Sequence, residues 1–115
     1  MEKYCVSENY TIKEVLAQFE SANDRVAIVL NGNKKVVGVV SQGDIIRALS
    51  AGMSIYEKVS QIIQSSFLHL YEKNMEKAYE IFKKKKISLL PIIDKNGYLS
   101  DVITNSDIYI YLENK

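Results

Sequence analysis

The sequence has very little proline, cysteine or tryptophan, and each scarcity narrows what the protein can be. Pro91 is the single proline, Cys5 is the single cysteine, and tryptophan is absent from the 115 residues. A lone cysteine cannot form an internal disulfide, which is typical of a protein kept in the reducing cytoplasm. With one proline and five glycines, the chain contains no low-complexity segment and no flexible linker.

Long apolar runs and an excess of charge of one sign are also missing. No run approaches the ~20 apolar residues that a membrane-spanning helix needs. The first four residues lack the apolar stretch of a signal peptide. The formal net charge is +1, so the chain as a whole does not attract nucleic acid or a membrane surface. We therefore expect a cytoplasmic protein with neither a nucleic-acid nor a membrane partner.

The side chains that perform catalysis do not occur in productive combinations. Cys5 has no histidine partner near it, and His69 is the single histidine, with no second histidine or cysteine at metal-ligand spacing. An acid–base pair, an activated nucleophile and a phosphate-binding lysine loop are likewise not recognisable. We expect no catalytic residues, no metal site and no required cofactor.

What the sequence does contain is an internal repeat. Shifted by 63 residues, Val39–Ile45 falls on Val102–Ile108, and both segments contain two β-branched residues, a hydroxyl residue, two spacers, an aspartate and an isoleucine. Self-similarity at one fixed shift indicates a small structural unit used twice. The sequence thus predicts two repeats, over residues 1–55 and 56–115.

The spacing of apolar residues predicts helix, strand, turn, strand and helix in each half. Thr11 with Glu14 forms a capping-box pattern at the start of the first helix, and Asn74 is a favoured N-cap for its counterpart. A third capping-box pattern predicts a short helix that links the halves, and the expected fold class is α/β of the mixed α+β kind. The predicted extended lead-ins are residues 5–6 and 67–70, and the predicted strands are residues 26–30, 36–40, 89–93 and 98–103. The first helix is expected to fade near residues 21–23, and Ser41 and Thr104 are expected to open the second helix of each half. The linking helix is predicted to begin at Ser54 with Glu57.

The repeated hydroxyl residue and aspartate lie where a strand ends and a helix begins. The first turn of a helix has free N–H groups and the positive end of the dipole, which favour a phosphate. Ser41 or Thr104 adds a hydroxyl donor, and Asp44 or Asp107 can accept hydrogen bonds from two vicinal hydroxyls of a ribose. The same pattern also serves as an ordinary helix cap, since an acidic residue in the first turn stabilises a helix by ~0.3–1 kcal/mol. The motif alone leaves both interpretations open.

A wider set of residues resembles a known family. Leu90–Asp94 with Gly97, followed by Val102–Ile108, resembles the signature of cystathionine-β-synthase-type (CBS) domains, and residues 28–31 with 38–45 resemble it again. The resemblance covers nearly the whole chain. It implies two βαββα-type repeats packed with pseudo-two-fold symmetry, and clefts between them that bind AMP, ADP or ATP in many members.

Carried over residue by residue, the resemblance implies a set of ligand-binding positions. In relatives, residues just before the first strand also approach the ligand. Because Asp101 stands at the position of Gly38, its side chain and charge are expected to crowd a phosphate in the second site, so a single occupied site would be the first. The implied ligand-binding residues are Ser41, Gly43, Asp44, Thr104 and Asp107, with Arg25, Val26, Ile87 and Ser88 as a second set.

Residues 41–54 show a closer resemblance, to the stretch found in CBS pairs in front of bacterial sugar-1-phosphate nucleotidyltransferases. This implies a non-catalytic regulatory module that senses an adenosine nucleotide. Its partners would be the catalytic domain of the parent protein and a second copy in a homodimer. The alternative is a ligand-free CBS pair that acts as a dimerisation or interaction module.

Overall fold

The computed structural model describes residues 1–22 and 24–115, which divide into two compact units, Met1–Phe67 and Leu68–Lys115. Each unit combines α-helices with a small sheet, so the mixed α+β fold class is confirmed. None of the described helices has the length and apolarity needed to cross a membrane. The described helices are α1 (Ile12–Ala22), α2 (Gln42–Ser50), α3 (Met75–Lys84) and α4 (Asn105–Glu113), with 3-10 turns at Glu2–Tyr4 and Val59–Gln61, and the strands are β1 (Cys5–Ser7), β2 (Val26–Leu30), β3 (Val36–Ser41), β4 (Leu89–Ile93) and β5 (Leu99–Thr104).

In the first unit, β2 is the central strand of a three-stranded sheet. It pairs with β1 in parallel and with β3 antiparallel. The middle of β2 is fully apolar and buried, as expected for a strand covered on both faces. Apolar residues of α1, α2 and the sheet pack into one core, whose buried members are Val6, Ile12, Val15, Phe19, Ala27, Val29, Val40, Ile45 and Val59.

The second unit repeats this arrangement with a shorter lead-in. β4 pairs antiparallel with β5, and Leu70 alone takes the place of β1 through a parallel bridge to Ile92. The extended lead-in predicted for residues 67–70 is thus reduced to one bridging residue. The buried members of this core are Ala78, Leu90, Ile92, Ile103 and Ile108.

The repeat extends to backbone register. Val26 pairs with Ser41 in the first hairpin, and Leu89 pairs with Thr104 at the equivalent place in the second. Both hairpins also have a bulge at the same position, between residues 29 and 30 and between residues 92 and 93. The register therefore brings the two predicted hydroxyl residues to matching points at the ends of β3 and β5.

The prediction of a short helix that begins at Ser54 with Glu57 is wrong. The Ser54 hydroxyl accepts a hydrogen bond from the Tyr56 amide at 3.1 Å, and the segment forms a turn followed by the 3-10 turn Val59–Gln61. The reason is tertiary, because the carbonyl of Glu57 accepts from the Ile12 amide at 2.9 Å. The backbone of this segment thus covers the start of α1 instead of forming its own helix.

The structure also gives the end of the first compact unit and the end of α1. Val59 is buried in the first core, and the first compact unit extends to Phe67. The division of the duplicated sequence at residues 55 and 56 stays a prediction, since compact units and sequence repeats need not end together. α1 ends at Ala22, within the predicted range of residues 21–23, of which Asn23 lies outside the described residues.

Candidate functional site

The two repeated helix starts have the same local geometry. The Ser41 hydroxyl accepts from the Asp44 amide at 3.1 Å, and Asp44 Oδ2 accepts from the Ser41 amide at 2.9 Å. The Thr104 hydroxyl accepts from the Asp107 amide at 3.4 Å, and Asp107 Oδ2 accepts from the Thr104 amide at 2.8 Å. Both motifs are complete capping boxes. Since a carboxylate has about four acceptor positions, capping leaves each aspartate able to bind a ligand as well.

The Asp44 carboxylate has further partners on its other oxygen. Oδ1 accepts from Arg47 Nη2 at 2.6 Å and from Gln64 Nε2 at 3.3 Å. The side chain of Asp44 is only 8% exposed, whereas that of Arg47 is 72% exposed. Burial acts to raise the pKa of Asp44, but hydrogen bonds from Ser41, Gln64 and Arg47 outweigh it and leave the pKa below its ordinary value. Asp44 is therefore ionised at neutral pH, with both oxygens in use.

The Asp107 carboxylate is more open. Its Oδ2 accepts from both the amide and the hydroxyl of Thr104, the latter at 3.1 Å. Its Oδ1 receives no hydrogen bond from any residue that the structure describes. Ile110 stands where the first repeat has Arg47, and it is 56% exposed. The second helix start thus presents one free carboxylate oxygen.

The difference between Gly38 and Asp101 follows from the edge of each sheet. Gln64 pairs with Val39 at the edge of β3, and a Cβ added to Gly38 would lie 2.6 Å from the Gln64 carbonyl oxygen. In the second unit, the Asp101 carboxylate itself accepts from the Val102 amide at 2.8 Å, the bond that Gln64 supplies to Val39 at 3.0 Å. These contacts explain why glycine stands at position 38 and aspartate at position 101, and a bound phosphate is not needed for that explanation.

The charge of Asp101 is also partly neutralised. Lys73 Nζ lies 3.3 Å from Asp101 Oδ2. The side chain and the charge of Asp101, the two reasons for expecting the first site to be filled before the second, therefore have partners of their own. The order in which the two sites fill stays a prediction. It has to be argued from the hydrogen-bond partners of Asp44 and Asp107.

The second set of predicted residues lies near the helix starts to different degrees. The Arg25 carbonyl accepts from the Gln42 amide at 2.8 Å, and Val26 pairs with Ser41 across the hairpin. Ser88 directly precedes β4, whose first residue pairs with Thr104. Ile87 packs against the second core. Gly43 lies in the first turn of α2, where an added Cβ would come within 3.5 Å of Arg47 Nη1. The ligand roles of all nine residues stay predictions.

Sequence reasoning missed two partners of Asp44. Arg47 lies three residues after Asp44 on a helix, a spacing at which side chains meet, so its contact was predictable. Gln64 is 20 residues away in the chain, and its contact depends on the pairing of Gln64 with Val39 of β3. A single sequence carries no signal for that contact.

Other candidate sites in the described residues are weaker. No group of three or more histidine, cysteine, aspartate or glutamate side chains there could hold a metal ion. Burial raises the pKa of the Cys5 thiol, which makes it a poor nucleophile. An open groove of about 540 Å³ lies beside α3, and it is lined by Leu70, Asn74, Glu76, Lys77, Glu80 and Ile81.

Comparison with known proteins identifies a family and a fold. The family model of the CBS domain matches residues 1–51 and 59–114. The CBS domains of a transcriptional regulator from Streptococcus pneumoniae superpose with a TM-score of 0.80 at 20% identity, over 95% of this chain and 89% of that one. A CBS domain protein from Pyrobaculum aerophilum, complexed with AMP, superposes with a TM-score of 0.75 at 24% identity, over 96% of this chain and 91% of that one.

Curated relatives are longer proteins. An inosine-5'-monophosphate dehydrogenase from Nitrosopumilus maritimus is 28% identical over 105 residues, which are 91% of this chain and 21% of that protein. Across three such relatives the chain spans between 21% and 30% of their length. The match therefore concerns one part of each relative, and it does not assign their catalytic activities to this chain.

Proposed function

Because this chain belongs to the CBS-domain family, we propose that it is a non-catalytic module that binds an adenosine nucleotide, AMP, ADP or ATP, and thereby regulates a larger protein. The AMP complex of the Pyrobaculum aerophilum protein supports the choice of ligand class. In this chain, the nucleotide would be held by the residues of the two helix starts, with Arg25, Val26, Ile87 and Ser88 nearby.

The observation that carries this proposal is the pair of matching helix starts with a carboxylate in each. Asp107 Oδ1 receives no hydrogen bond from any described residue, so it can accept one from a ribose hydroxyl at no cost to the cap. The N–H groups in the first turn of α4 and the Thr104 hydroxyl are suited to a phosphate. Capping and ligand binding are therefore compatible functions of the same motif.

Calorimetry with AMP and ATP tests this proposal. We expect Asp107→Asn and Asp44→Asn each to weaken binding at its own helix start by at least about tenfold, because a charge-assisted hydrogen bond contributes ~1.5–3 kcal/mol. Asparagine retains an acceptor for the cap, which keeps the fold intact. Glu113→Gln, at an exposed position near the end of α4, is the matched control and should bind like the wild type. Absence of binding in the wild type, or wild-type binding in both aspartate variants, would refute the proposal.

For the whole protein, we propose a sugar-phosphate nucleotidyltransferase that this module regulates. The support is the resemblance of residues 41–54 to the stretch that precedes such catalytic domains. A nucleotide with different affinities for two arrangements of the module would shift the activity of the attached domain. The full-length gene product should release pyrophosphate from a nucleoside triphosphate and a sugar 1-phosphate, at a rate that AMP or ATP changes.

A second candidate function is assembly without a small ligand. Tyr109 and Ile110 on α4 are 64% and 56% exposed, and Leu112 is 38% exposed. Burying these side chains against a second copy would stabilise a homodimer through the removal of apolar surface from water.

The cytoplasmic location expected from the single cysteine stays a prediction.

A further inference from the structure

We infer that Arg47 and Gln64 compete with a nucleotide for the Asp44 carboxylate, so that the two repeats bind with unequal affinity and the site of Asp107 fills first. The inference rests on the proposed nucleotide binding and specifies which residues set the affinity of each site. It reverses the order that the sequence alone favours, in which Gly38 and Asp101 decide.

The contacts of Asp44 are the first argument. Its Oδ2 is used by the Ser41 amide, and its Oδ1 is used by both Arg47 and Gln64. Two vicinal ribose hydroxyls need acceptor positions on a carboxylate, and an oxygen has about two such positions. Oδ1 has both of them occupied. Oδ2 keeps one position, so a ribose that donates from both hydroxyls must break the hydrogen bond of Arg47 or Gln64.

The second repeat supplies the internal comparison. Asp107 has the same cap, in the same register, and its Oδ1 receives nothing from the described residues. The residue equivalent to Arg47 is Ile110, which cannot donate a hydrogen bond from its side chain. Because backbone and cap match in the two repeats, the difference in side-chain partners is what separates their affinities.

The strength of the Arg47 contact limits the size of the effect. Arg47 is 72% exposed, so its attraction to Asp44 is screened by water and the guanidinium can move away. A charged hydrogen bond to a carboxylate that is itself only 8% exposed is nonetheless stronger than an ordinary surface ion pair. We therefore expect a weakened site, with an affinity roughly three- to tenfold below that of the same site without Arg47.

The experiment exchanges the residue between the repeats. Arg47→Ile gives the first repeat the side chain of the second, and Ile110→Arg does the reverse. Titration calorimetry with AMP is done in the Asp107→Asn background for the first variant and in the Asp44→Asn background for the second, so that each site is seen alone. We expect Arg47→Ile to tighten AMP binding roughly three- to tenfold and Ile110→Arg to weaken it.

A control and a readout without nucleotide complete the design. Lys95→Ala removes an exposed positive charge from the turn of the second hairpin and should leave AMP binding unchanged. The pKa of Asp44, followed by carboxyl ¹³C chemical shifts, should rise in Arg47→Ile, because a hydrogen bond that lowers it is lost.

The outcomes separate this inference from the proposed function. AMP binding that is unchanged in Arg47→Ile refutes the inference alone. Weaker binding refutes it too, and would indicate that Arg47 contacts the phosphate. No AMP binding in the wild type overturns both proposals, and the Asp44 titration then still shows whether Arg47 holds the carboxylate.

Discussion

At the scale of single residues, the edge of β3 depends on Gly38 having no side chain. The Gln64 amide donates to the Val39 carbonyl at 2.8 Å, and the Val39 amide donates back to Gln64 at 3.0 Å. This pair of bonds also brings the Gln64 side chain to Asp44. One glycine in a strand thus determines whether the segment after α2 can reach the candidate site.

Replacing Gly38 tests that dependence. We expect Gly38→Ala to lower the free energy of unfolding by about 1–3 kcal/mol, because its Cβ would meet the Gln64 carbonyl oxygen at 2.6 Å and the segment must shift. Urea denaturation measures the loss, and faster hydrogen exchange of the Gln64 amide locates it. Gly32→Ala is the control, since no atom lies within 4 Å of a Cβ there. Equal stability of the two variants would show that the contact is not structurally important.

At the scale of elements, helix starts carry much of the local information. Thr11 caps the start of α1: its hydroxyl accepts from the Glu14 amide at 3.1 Å, and Glu14 accepts from the Thr11 amide at 2.9 Å. Asn74 is the N-cap of α3, and its Oδ1 accepts from the Lys77 amide at 3.0 Å. Since lysine stands where α1 has Glu14, the cap of α3 has no reciprocal bond and depends on Asn74 alone.

The cap of α3 is therefore sensitive to one side chain. We expect Asn74→Ala to destabilise the protein by ~1 kcal/mol, because the Lys77 amide loses its acceptor. Thermal or urea unfolding followed by circular dichroism measures the change. Asn74→Asp should retain most of the stability, since a carboxylate accepts the same bond and suits the positive end of the helix dipole. A loss of the same size in both variants would contradict the capping role.

The features that could be predicted from the sequence are those that depend on local residues or on the internal repeat. The capping boxes at Ser41 and Thr104, the hairpins and the 63-residue repeat depend on neighbouring residues or on the internal copy, and they were predictable. The helix predicted at Ser54 fails because the backbone carbonyl of Glu57 is used by α1, which is a tertiary effect. The contact of Gln64 with Asp44 was unpredictable for the same reason, whereas the contact of Arg47 with Asp44 follows from their spacing on a helix.

At the scale of the whole molecule, the two candidate functions differ in what stabilises the folded chain. A ligand that binds only the folded state raises its stability by RT ln(1+[L]/Kd), whereas a homodimer is stabilised by its own concentration. The number of nucleotide sites and the oligomeric state are therefore both visible in unfolding experiments. The family model matches residues 1–51 and 59–114, which are nearly the whole chain.

Unfolding at several nucleotide and protein concentrations separates the two functions. We expect AMP or ATP at a hundredfold excess over Kd to raise the free energy of unfolding by about 2.7 kcal/mol per site. CMP has the same ribose and phosphate, so a smaller effect of CMP would assign the preference to the base, and GTP serves the same purpose for ATP.

The alternative function predicts a different result. No nucleotide then changes the unfolding midpoint, the midpoint rises with protein concentration, and sedimentation shows a dimer. The functional surface would be the exposed face of α4 with Tyr109, Ile110 and Leu112. In that case, Ile110→Arg should dissociate the dimer, because a charge placed in an apolar interface must be desolvated without a partner.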